Sequence, residues 1–204
     1  MSYASDIAFT ESVKAIQSRK GSRRIYAQME KNGSWQTEIT PELASFVTAQ
    51  RSFFLGTANA NGQPYIQHRG GPPGFLKVIG RKTLAFADYK GNRQFITQGN
   101  LTENSKAFIF LIDYVNSTRI KLWGRAKVVD DQPELLAKLM PNRDEYRARA
   151  ELVIIFTIEA WDINCPQHIP QRIDREDVDA LLQERDQRIA ELEQTVRMLK
   201  AMPK

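Results

Sequence analysis

Cysteine and histidine are scarce in this chain, and their scarcity excludes several kinds of protein. Cys165 is the only cysteine, and His68 and His168 are the only histidines. One cysteine excludes an intrachain disulfide and a cysteine-built metal site, and two histidines are too few for a usual zinc site unless carboxylates join them. Neither HExxH nor CxxC occurs, so we predict no metal site. The cysteine count favours a cytoplasmic location.

Long apolar runs and dense clusters of one charge are also missing. No apolar stretch approaches the roughly 18 residues that span a bilayer, and the N-terminus lacks the basic region and apolar core of a secretory signal. The net charge of +5 comes from 29 basic and 24 acidic residues, without a lysine tract. Because anionic small ligands explain this excess as well as nucleic acid does, we expect neither a nucleic-acid nor a membrane partner.

The usual sequence motifs of hydrolases and nucleotide-binding enzymes are absent. No GxSxG, GxxxxGK[ST] or strand-helix GxGxxG occurs. A hydrolase triad that uses His168 stays open, but nothing in the sequence singles out a partner serine. With 204 residues, 42% hydrophobic and 26% charged, the chain has the composition of a globular protein with a real core.

Strand-like segments dominate the middle of the chain. Asn61-Gly62, between two apolar runs, is the strongest short-range hairpin signal available. Thr40 as an N-cap followed by Pro41 predicts a short helix over 41–50. The pattern predicts strands at 52–58, 63–68, 76–79, 83–87, 107–113, 119–129 and 151–158, helices at about 92–98 and 133–139, and leaves a helix at 143–150 open. Six or seven short strands with few helices predict a small antiparallel barrel.

Composition divides the chain into three predicted parts. Residues 1–39 are an extension packed on the barrel, residues 40–172 are the barrel, and residues 173–204 are an amphipathic helix. In this last part, apolar residues and one arginine recur at alternate spacings of four and three residues, which is the pattern of a heptad seam. The seam residues are Val178, Leu182, Arg185, Ile189, Leu192, Val196 and Leu199. Such a helix either pairs in a parallel two-stranded coil or folds back on its own barrel, and both alternatives stay open.

Basic residues and glycines punctuate the strands over residues 67–125. Arg69 lies near a strand end, Lys77 follows a Gly-Pro-Pro-Gly turn, and Asn92 and Arg93 are predicted to open a helix whose free N–H groups can face an anion. Guanidinium and ammonium groups hold phosphate through charge-assisted bonds, and glycines let the backbone approach a ligand closely. One such residue alone is more often a solvated surface charge. The set predicts an anion-binding barrel.

Three motifs in this region resemble those of the pyridoxamine 5′-phosphate oxidase-like family of FMN-binding split barrels. They are Gln67-His68-Arg69-Gly70-Gly71-Pro72-Pro73-Gly74-Phe75, Asp88-Tyr89-Lys90-Gly91-Asn92-Arg93 and Trp123-Gly124-Arg125-Ala126. The chain departs from the family pattern at Gln67-His68, where Ser-Pro is expected, and at Gly71, where Asp is expected. Asn92 replaces an arginine of the true oxidases, and their C-terminal Arg-x-His is not evident. The resemblance is therefore to the family and not to the authentic oxidase.

This resemblance implies a mainly β fold with peripheral helices, namely a Greek-key-like, six-stranded antiparallel split barrel, plus the C-terminal helix. It also implies a homodimer with FMN at the subunit interface and hydride transfer between a small substrate or NAD(P)H and the flavin. No catalytic side chain follows from it. The FMN contacts that it implies are His68, Arg69, Lys77, Tyr89, Lys90, Asn92, Arg93, Arg119, Lys121, Trp161, Gln167 and His168. For His68, a plain strand position is the alternative.

A different class of function stays open beside this hypothesis. The chain would then be a non-catalytic flavin- or haem-binding or sensing module whose heptads recruit a partner. A haem needs an axial ligand, for which His68, His168, Cys165 or a methionine or tyrosine is available. Cys165 is either redox-active beside a flavin or a small buried hydrophobe.

Overall fold

The computed structural model of the chain describes residues 3–33, 35–141 and 146–201. These residues form two compact units. The first consists of the described residues of 1–113 and 118–166, and the second of those of 114–117 and 167–204. The first unit holds the sheet and most of the helices, and the second holds the long C-terminal helix.

The strands of the described residues form one antiparallel sheet of seven strands. They are β1 Ser52–Ala58, β2 Pro64–Gly70, β3 Lys77–Gly80, β4 Thr83–Tyr89, β5 Lys106–Asp113, β6 Thr118–Val129 and β7 Ala150–Asn164. Their order across the sheet is β2-β1-β5-β6-β7-β4-β3. The predicted fold class, a mainly β split barrel with peripheral helices and a C-terminal helix, is confirmed, with seven strands instead of six.

Six helices accompany the sheet in the described part of the chain. They are α1 Glu11–Lys20, α2 Arg23–Lys31, α3 Pro41–Ala49, α4 Ile96–Glu103, α5 Pro133–Leu139 and α6 Arg175–Ala201, preceded by a 3₁₀ turn at Ala4–Ile7. Helix α3 begins as predicted, because the Thr40 hydroxyl accepts the backbone N–H of Leu43 at 3.2 Å. For the open helix at 143–150, residues 142–145 lie outside the described residues, 146–149 have no regular structure, and β7 begins at Ala150.

Strand alternation sorts the side chains into two faces. In β1, Phe53 and Leu55 are fully buried, whereas Phe54 points to the opposite, partly exposed face. The inward residues of the other strands join them in the main core, which also holds Leu43, Val47, Phe75, Leu84, Phe86, Ile109, Leu111, Ile120, Leu122, Ile154, Phe156 and Trp161. A second cluster packs β4 and β7 against Leu139 of α5. We call the face of β2, β1, β5 and β6 that lies opposite the main core the outer face.

The N-terminal segment contacts the sheet through two tryptophans. The ring of Trp35 stacks on Trp123 at a centroid distance of 4.6 Å. Gln36 forms a bridge with Trp161, in which the Trp161 N–H donates to the Gln36 carbonyl at 2.9 Å. Between α1 and α2, Arg23 pairs with the buried Glu30 carboxylate. The contacts of Trp35 with Trp123 and of Gln36 with Trp161 attach the segment to β6 and β7.

Helix α6 exposes every one of its described residues. Its charged side chains form ion pairs along the helix, such as Arg188 with Glu191 at 2.9 Å. None of the described helices combines the length and apolarity needed to cross a membrane.

Candidate functional site

A polar pocket is lined by β2, the end of β4, the loop after β4, the first turn of α4 and one residue of β7. Its lining residues are Tyr65, Gln67, Arg69, Asp88, Tyr89, Gly91, Asn92, Arg93, Gln94, Phe95, Ile96, Thr97, Gln98 and Glu151. The cavity volume is about 50 Å³. Pockets that enclose a whole small ligand measure roughly 300–1,000 Å³, so within one chain this pocket accommodates only part of a ligand.

Strand β2 contributes every second residue to this pocket. Tyr65, Gln67 and Arg69 line the pocket, because alternate residues of a strand share one face. His68 lies on the outer face, where its ring meets Phe54 at a centroid distance of 5.6 Å. The structure therefore separates His68 from Arg69, although the two are adjacent in sequence.

Arg69 forms an ion pair with Asp88 at the inner wall of the pocket. The two side chains are only 12% and 9% exposed. Burial raises the pKa of the Asp88 carboxyl, and the opposing effects of Arg69 and of a hydrogen bond from Gln98 reduce this shift. The Arg69 Nε atom is buried and has no hydrogen-bond partner among the described residues. The ion pair fixes the Arg69 guanidinium in place and leaves its Nε–H as a donor for a ligand.

Tyr89 supplies a second buried donor. Its hydroxyl has no hydrogen-bond partner within the described residues. Burial and the nearby Tyr146 raise the pKa of Tyr89 to about 12, so the phenol stays protonated and can donate. Arg69 and Tyr89 both line the pocket, but the Tyr89 ring packs with Tyr146 and the second cluster. The orphaned Arg69 Nε is therefore the donor that fits an oxygen-rich ligand such as the phosphate and ribityl chain of FMN.

The loop between β4 and α4 has an unusual backbone. Arg93 and Phe95 have φ values of 60° and 55°, the left-handed region that non-glycine residues seldom adopt. The Arg93 guanidinium lies 5.5 Å from the Phe95 ring centroid and 3.8 Å from a Glu151 oxygen, with its side chain 59% exposed. Strain of this kind costs about 1–3 kcal/mol per residue and clusters at functional sites, which supports a ligand-binding role for this loop.

The predicted start of this helix was wrong. Helix α4 begins at Ile96, so Asn92 and Arg93 lie in the loop and do not open a helix. The Asn92 side-chain oxygen instead accepts the backbone N–H of Gln94 at 3.3 Å. The two left-handed residues interrupt the helical backbone before Ile96, and this explains the late start.

Two predicted cations lie outside the pocket lining. Lys77 lines a separate groove between α3 and β3, beside Thr48, Gly74 and Val78. Lys90 is exposed, and its backbone N–H donates to the Arg149 carbonyl at 2.8 Å. Their contact with FMN stays a prediction, because neither lysine lines this pocket.

Arg119 and Lys121 lie on the outer face of β6. They alternate with the buried Ile120 and Leu122, which is the arrangement that their spacing predicts. The Lys121 ammonium lies 5.4 Å from the Trp123 ring centroid. The predicted contacts therefore divide between the pocket, with Arg69, Tyr89, Asn92 and Arg93, and the outer face, with His68, Arg119 and Lys121.

The three predicted contacts near the end of the barrel occupy two different units. Trp161 is 6% exposed within the main core, and its indole N–H donates to the Glu38 carbonyl at 2.7 Å. This environment gives Trp161 a structural role. Gln167 and His168 belong to the second unit, where His168 has a φ of 63°. Their contact with FMN stays a prediction.

Replacing Trp161 by phenylalanine tests this structural role. We expect the free energy of unfolding to fall by about 1–3 kcal/mol, because the Glu38 carbonyl loses its donor in a partly buried setting and the smaller ring leaves space in the core. The affinity for FMN should not change. Urea unfolding and a flavin titration measure the two quantities. Unchanged stability together with lost flavin affinity would instead assign Trp161 to the ligand.

Several pocket residues were missed at the level of sequence. The Gln67 side-chain oxygen accepts hydrogen bonds from Thr97 at 3.1 Å and from Tyr65 at 3.2 Å. Counting by twos from Arg69 along β2 would have identified Gln67 and Tyr65. Thr97 required the correct start of α4, for which the sequence carries no clear signal.

The antiparallel sheet and its polar pocket define the class of protein, a split barrel. Residues 39–165 match the sequence model of the family described as pyridoxamine 5′-phosphate oxidase. The chain therefore belongs to this family. No curated protein sequence matches the chain.

Three solved structures to which the chain is similar are HupZ, an FMN-binding protein and HutZ. HupZ from Group A Streptococcus shares 19% identity, with a TM-score of 0.51 over 66% of this chain and 99% of its own. An FMN-binding protein from Syntrophomonas wolfei shares 14%, with a TM-score of 0.49 over 72% and 97% of the two chains. HutZ from Vibrio cholerae, named a heme storage protein, shares 15%, with a TM-score of 0.42 over 58% and 88%. The likeness to HupZ shows a shared fold.

Proposed function

We propose that this chain is an FMN-dependent oxidoreductase that acts on a small molecule or on NAD(P)H. The observation that carries the proposal is the buried Arg69 Nε, which has no hydrogen-bond partner in the described part of the chain and belongs to an arginine that lines the polar pocket. Membership of the pyridoxamine 5′-phosphate oxidase family supports a phosphorylated flavin as the ligand.

The charges around the pocket determine how it would bind a phosphate. Arg69 and Arg93 are balanced by Asp88 and Glu151, so the lining carries no net positive charge. Binding then rests on oriented donors, and the ion pair with Asp88 fixes the direction of the Arg69 guanidinium. Arg93 is exposed and free to turn from Glu151, 3.8 Å away, towards an incoming phosphate.

When bound, FMN supplies two-electron redox chemistry with hydride donors and acceptors. The residues of this chain bind and orient the cofactor. Asp88 positions Arg69, Tyr89 stays neutral, and the loop that ends at Phe95 closes one wall of the pocket. No side chain of this pocket has to act as a nucleophile.

A homodimer with FMN at the subunit interface is part of the proposal. A cavity of about 50 Å³ in one chain accommodates only part of a flavin, which supports completion of the site by a second subunit. Apart from the pocket, the outer face offers apolar surface for contacts within a dimer, because Phe54 and Phe110 are only half-buried and Ile66 is 69% exposed. The single cysteine favours a cytoplasmic location for the dimer.

Flavin titration of the purified protein tests the proposal. We expect FMN to bind, and Arg93→Ala to weaken binding about 10–100-fold, which corresponds to a hydrogen bond to a charged group of about 1.5–3 kcal/mol. Arg125→Ala is the matched control, because Arg125 is an exposed arginine paired with Glu159 outside the pocket. Flavin fluorescence quenching gives both affinities.

Three outcomes would count against the proposal. Failure of the protein to take up FMN, or equal weakening by the Arg93 and Arg125 variants, would remove the pocket as the flavin site. A Soret band in the native protein would favour the haem-binding alternative. FMN uptake without turnover of NADH or NADPH, whichever acceptor is supplied, would favour a flavin sensor.

A further inference from the structure

The seam of α6 is an apolar surface without a buried side chain. Five of its residues are roughly half exposed: Leu182 51%, Ile189 53%, Leu192 50%, Val196 46% and Leu199 63%. Ile189, Leu192 and Val196 form a continuous apolar groove flanked by Glu193 and Arg197. A helix that exposes such a stripe to water is poorly stable by itself, because most helical stability in proteins comes from packing of the apolar face.

The types of residue along the seam specify the kind of partner. Leu182, Ile189 and Val196 recur every seven residues at the first core position of the heptad, position a. Leu192 and Leu199 occupy the second core position, d. Two of the three a residues, Ile189 and Val196, are β-branched, and β-branched residues at a with leucine at d favour two strands in a parallel arrangement.

Charges beside the seam favour the same arrangement. Arg188 lies at position g, and Asp186 and Glu193 lie at successive e positions. In a parallel pair, Arg188 faces Glu193 of the partner subunit, an attractive pair that helps to set orientation. In an antiparallel pair, e positions face each other, and the acidic side chains at 186 and 193 would repel.

One core position carries a charge that a second copy of the helix can neutralise. Arg185 occupies position d between Leu182 and Leu192, where two copies would place two arginines side by side. The neighbouring e position of the partner subunit holds an aspartate, Asp186. Such a polar layer costs stability but fixes the register of a coiled coil, so it favours a specific pairing over a general apolar contact.

We propose that α6 forms a parallel, in-register two-stranded coiled coil with α6 of a second copy of this chain. The partner that covers the seam is a second copy of α6, because this one helix carries both halves of each contact. These contacts are the packing of core positions a and d, the pair of Arg188 with Glu193, and the pair of Arg185 with Asp186. The proposal does not depend on the flavin, and its test uses no cofactor.

Thiol cross-linking of the full chain tests the pairing and its direction. In a Cys165→Ser background, Leu199→Cys places one thiol at a d position, and Met198→Cys places it at position c, outside the seam, as the control. A disulfide needs Cβ atoms about 3.5–4.5 Å apart, which facing d positions of a parallel in-register pair can provide. We expect mild oxidation to link Leu199→Cys into a dimer and to leave Met198→Cys monomeric on a denaturing gel. Equal cross-linking of the two variants would overturn the proposal.

Seam variants in the Leu199→Cys background separate a coiled coil from chance proximity. Ile189→Glu buries a charge in the seam and should lower the rate of cross-linking about tenfold or more. Gln187→Glu, on the outer side of the helix, should leave the rate unchanged. Arg185→Leu should raise the rate, because it removes the charged layer. Insensitivity to Ile189→Glu, or a lower rate with Arg185→Leu, would contradict the proposed coil.

Discussion

Replacing Arg69 by methionine is expected to lower the free energy of unfolding by about 3–5 kcal/mol at neutral pH. Arg69 is the ion-pair partner of Asp88, and the two side chains are 12% and 9% exposed. Without the guanidinium, the Asp88 carboxylate is buried with Gln98 as its remaining hydrogen-bond donor. Methionine keeps an apolar stem of similar length but loses the contact of the guanidinium with the Phe86 ring, which is worth less than the unpaired buried charge. Urea unfolding measures the change.

The pH dependence of this loss has a definite sign. Burial already raises the pKa of Asp88 above its ordinary value of 3.8, and removal of Arg69 raises the pKa further. A group with a raised pKa in the folded state contributes stability that is fully present below its unfolded pKa and is lost as pH rises through the folded value. The Arg69→Met variant should therefore approach the wild type near pH 4 and fall progressively below it towards about pH 7.

Two control variants make this prediction specific. Arg81→Met breaks an exposed pair with Glu38, in which Arg81 is 85% exposed, and should cost at most about 1 kcal/mol. Combining Arg69→Met with Asp88→Leu removes both buried charges and should recover most of the lost stability. If Arg69→Met lowers the free energy of unfolding at neutral pH by no more than Arg81→Met does, the ion pair of Arg69 with Asp88 does not stabilise the fold as proposed. FMN affinity should fall in both Arg69 variants, whether or not stability recovers.

Local signals in the sequence were sufficient for most of the strands. The pattern at 52–58 coincides with β1 at Ser52–Ala58, and the predicted helix at 133–139 coincides with α5 at Pro133–Leu139. In both cases the information lies within a few residues: alternation with turn residues for the strand, and a proline at the first helical position for the helix. The hairpin between β1 and β2 was likewise predicted from Asn61-Gly62. In the structure, Gly62 has the positive φ that the turn requires.

The elements that sequence missed lack such signals. Helix α1 has few apolar residues and a weak period, although Thr10 caps it and Gly21 ends it with a φ of 82°. The start of α4 depends on the left-handed residues Arg93 and Phe95, and no composition rule predicts a positive φ at an arginine or a phenylalanine. Backbone strain of this kind is therefore evident only in the structure, whereas a cap such as Thr40 was recognised in the sequence.

The sequence predicted which face of a strand a candidate residue lies on, but not which candidate residues lie close together. Alternation along β6 placed Arg119 and Lys121 on one face, since the period of a strand is two residues. The pairing of Arg69 with Asp88 depends on how the split barrel brings β2 near the end of β4, although the two strands are not neighbours in the sheet order. Contacts of this kind follow from tertiary topology, which residue patterns alone do not specify.

Replacing Gly124 by alanine should lower the free energy of unfolding by about 3 kcal/mol or more, which is beyond the usual range for overpacking. A Cβ atom at Gly124 would overlap the Thr157 carbonyl oxygen and would lie 2.9 Å from the Phe156 ring. The oxygen cannot move aside like a flexible side chain, because Gly124 and Thr157 belong to the paired strands β6 and β7. The pairing register shifts between Trp123 and Gly124, so the backbone at this point is already irregular.

Gly99→Ala is the matched control for this substitution. Gly99 lies within α4, and a Cβ atom there would meet no heavy atom within 4 Å. Alanine should raise the free energy of unfolding by up to about 1 kcal/mol, because glycine is a poor helix former with a flexible unfolded state. Thermal and urea unfolding of the two variants should therefore shift in opposite directions. A Gly124→Ala variant as stable as the wild type would refute the close approach of β6 and β7. The expected result instead explains the glycine of the Trp-Gly-Arg-Ala motif by strand packing, without any contact to a flavin.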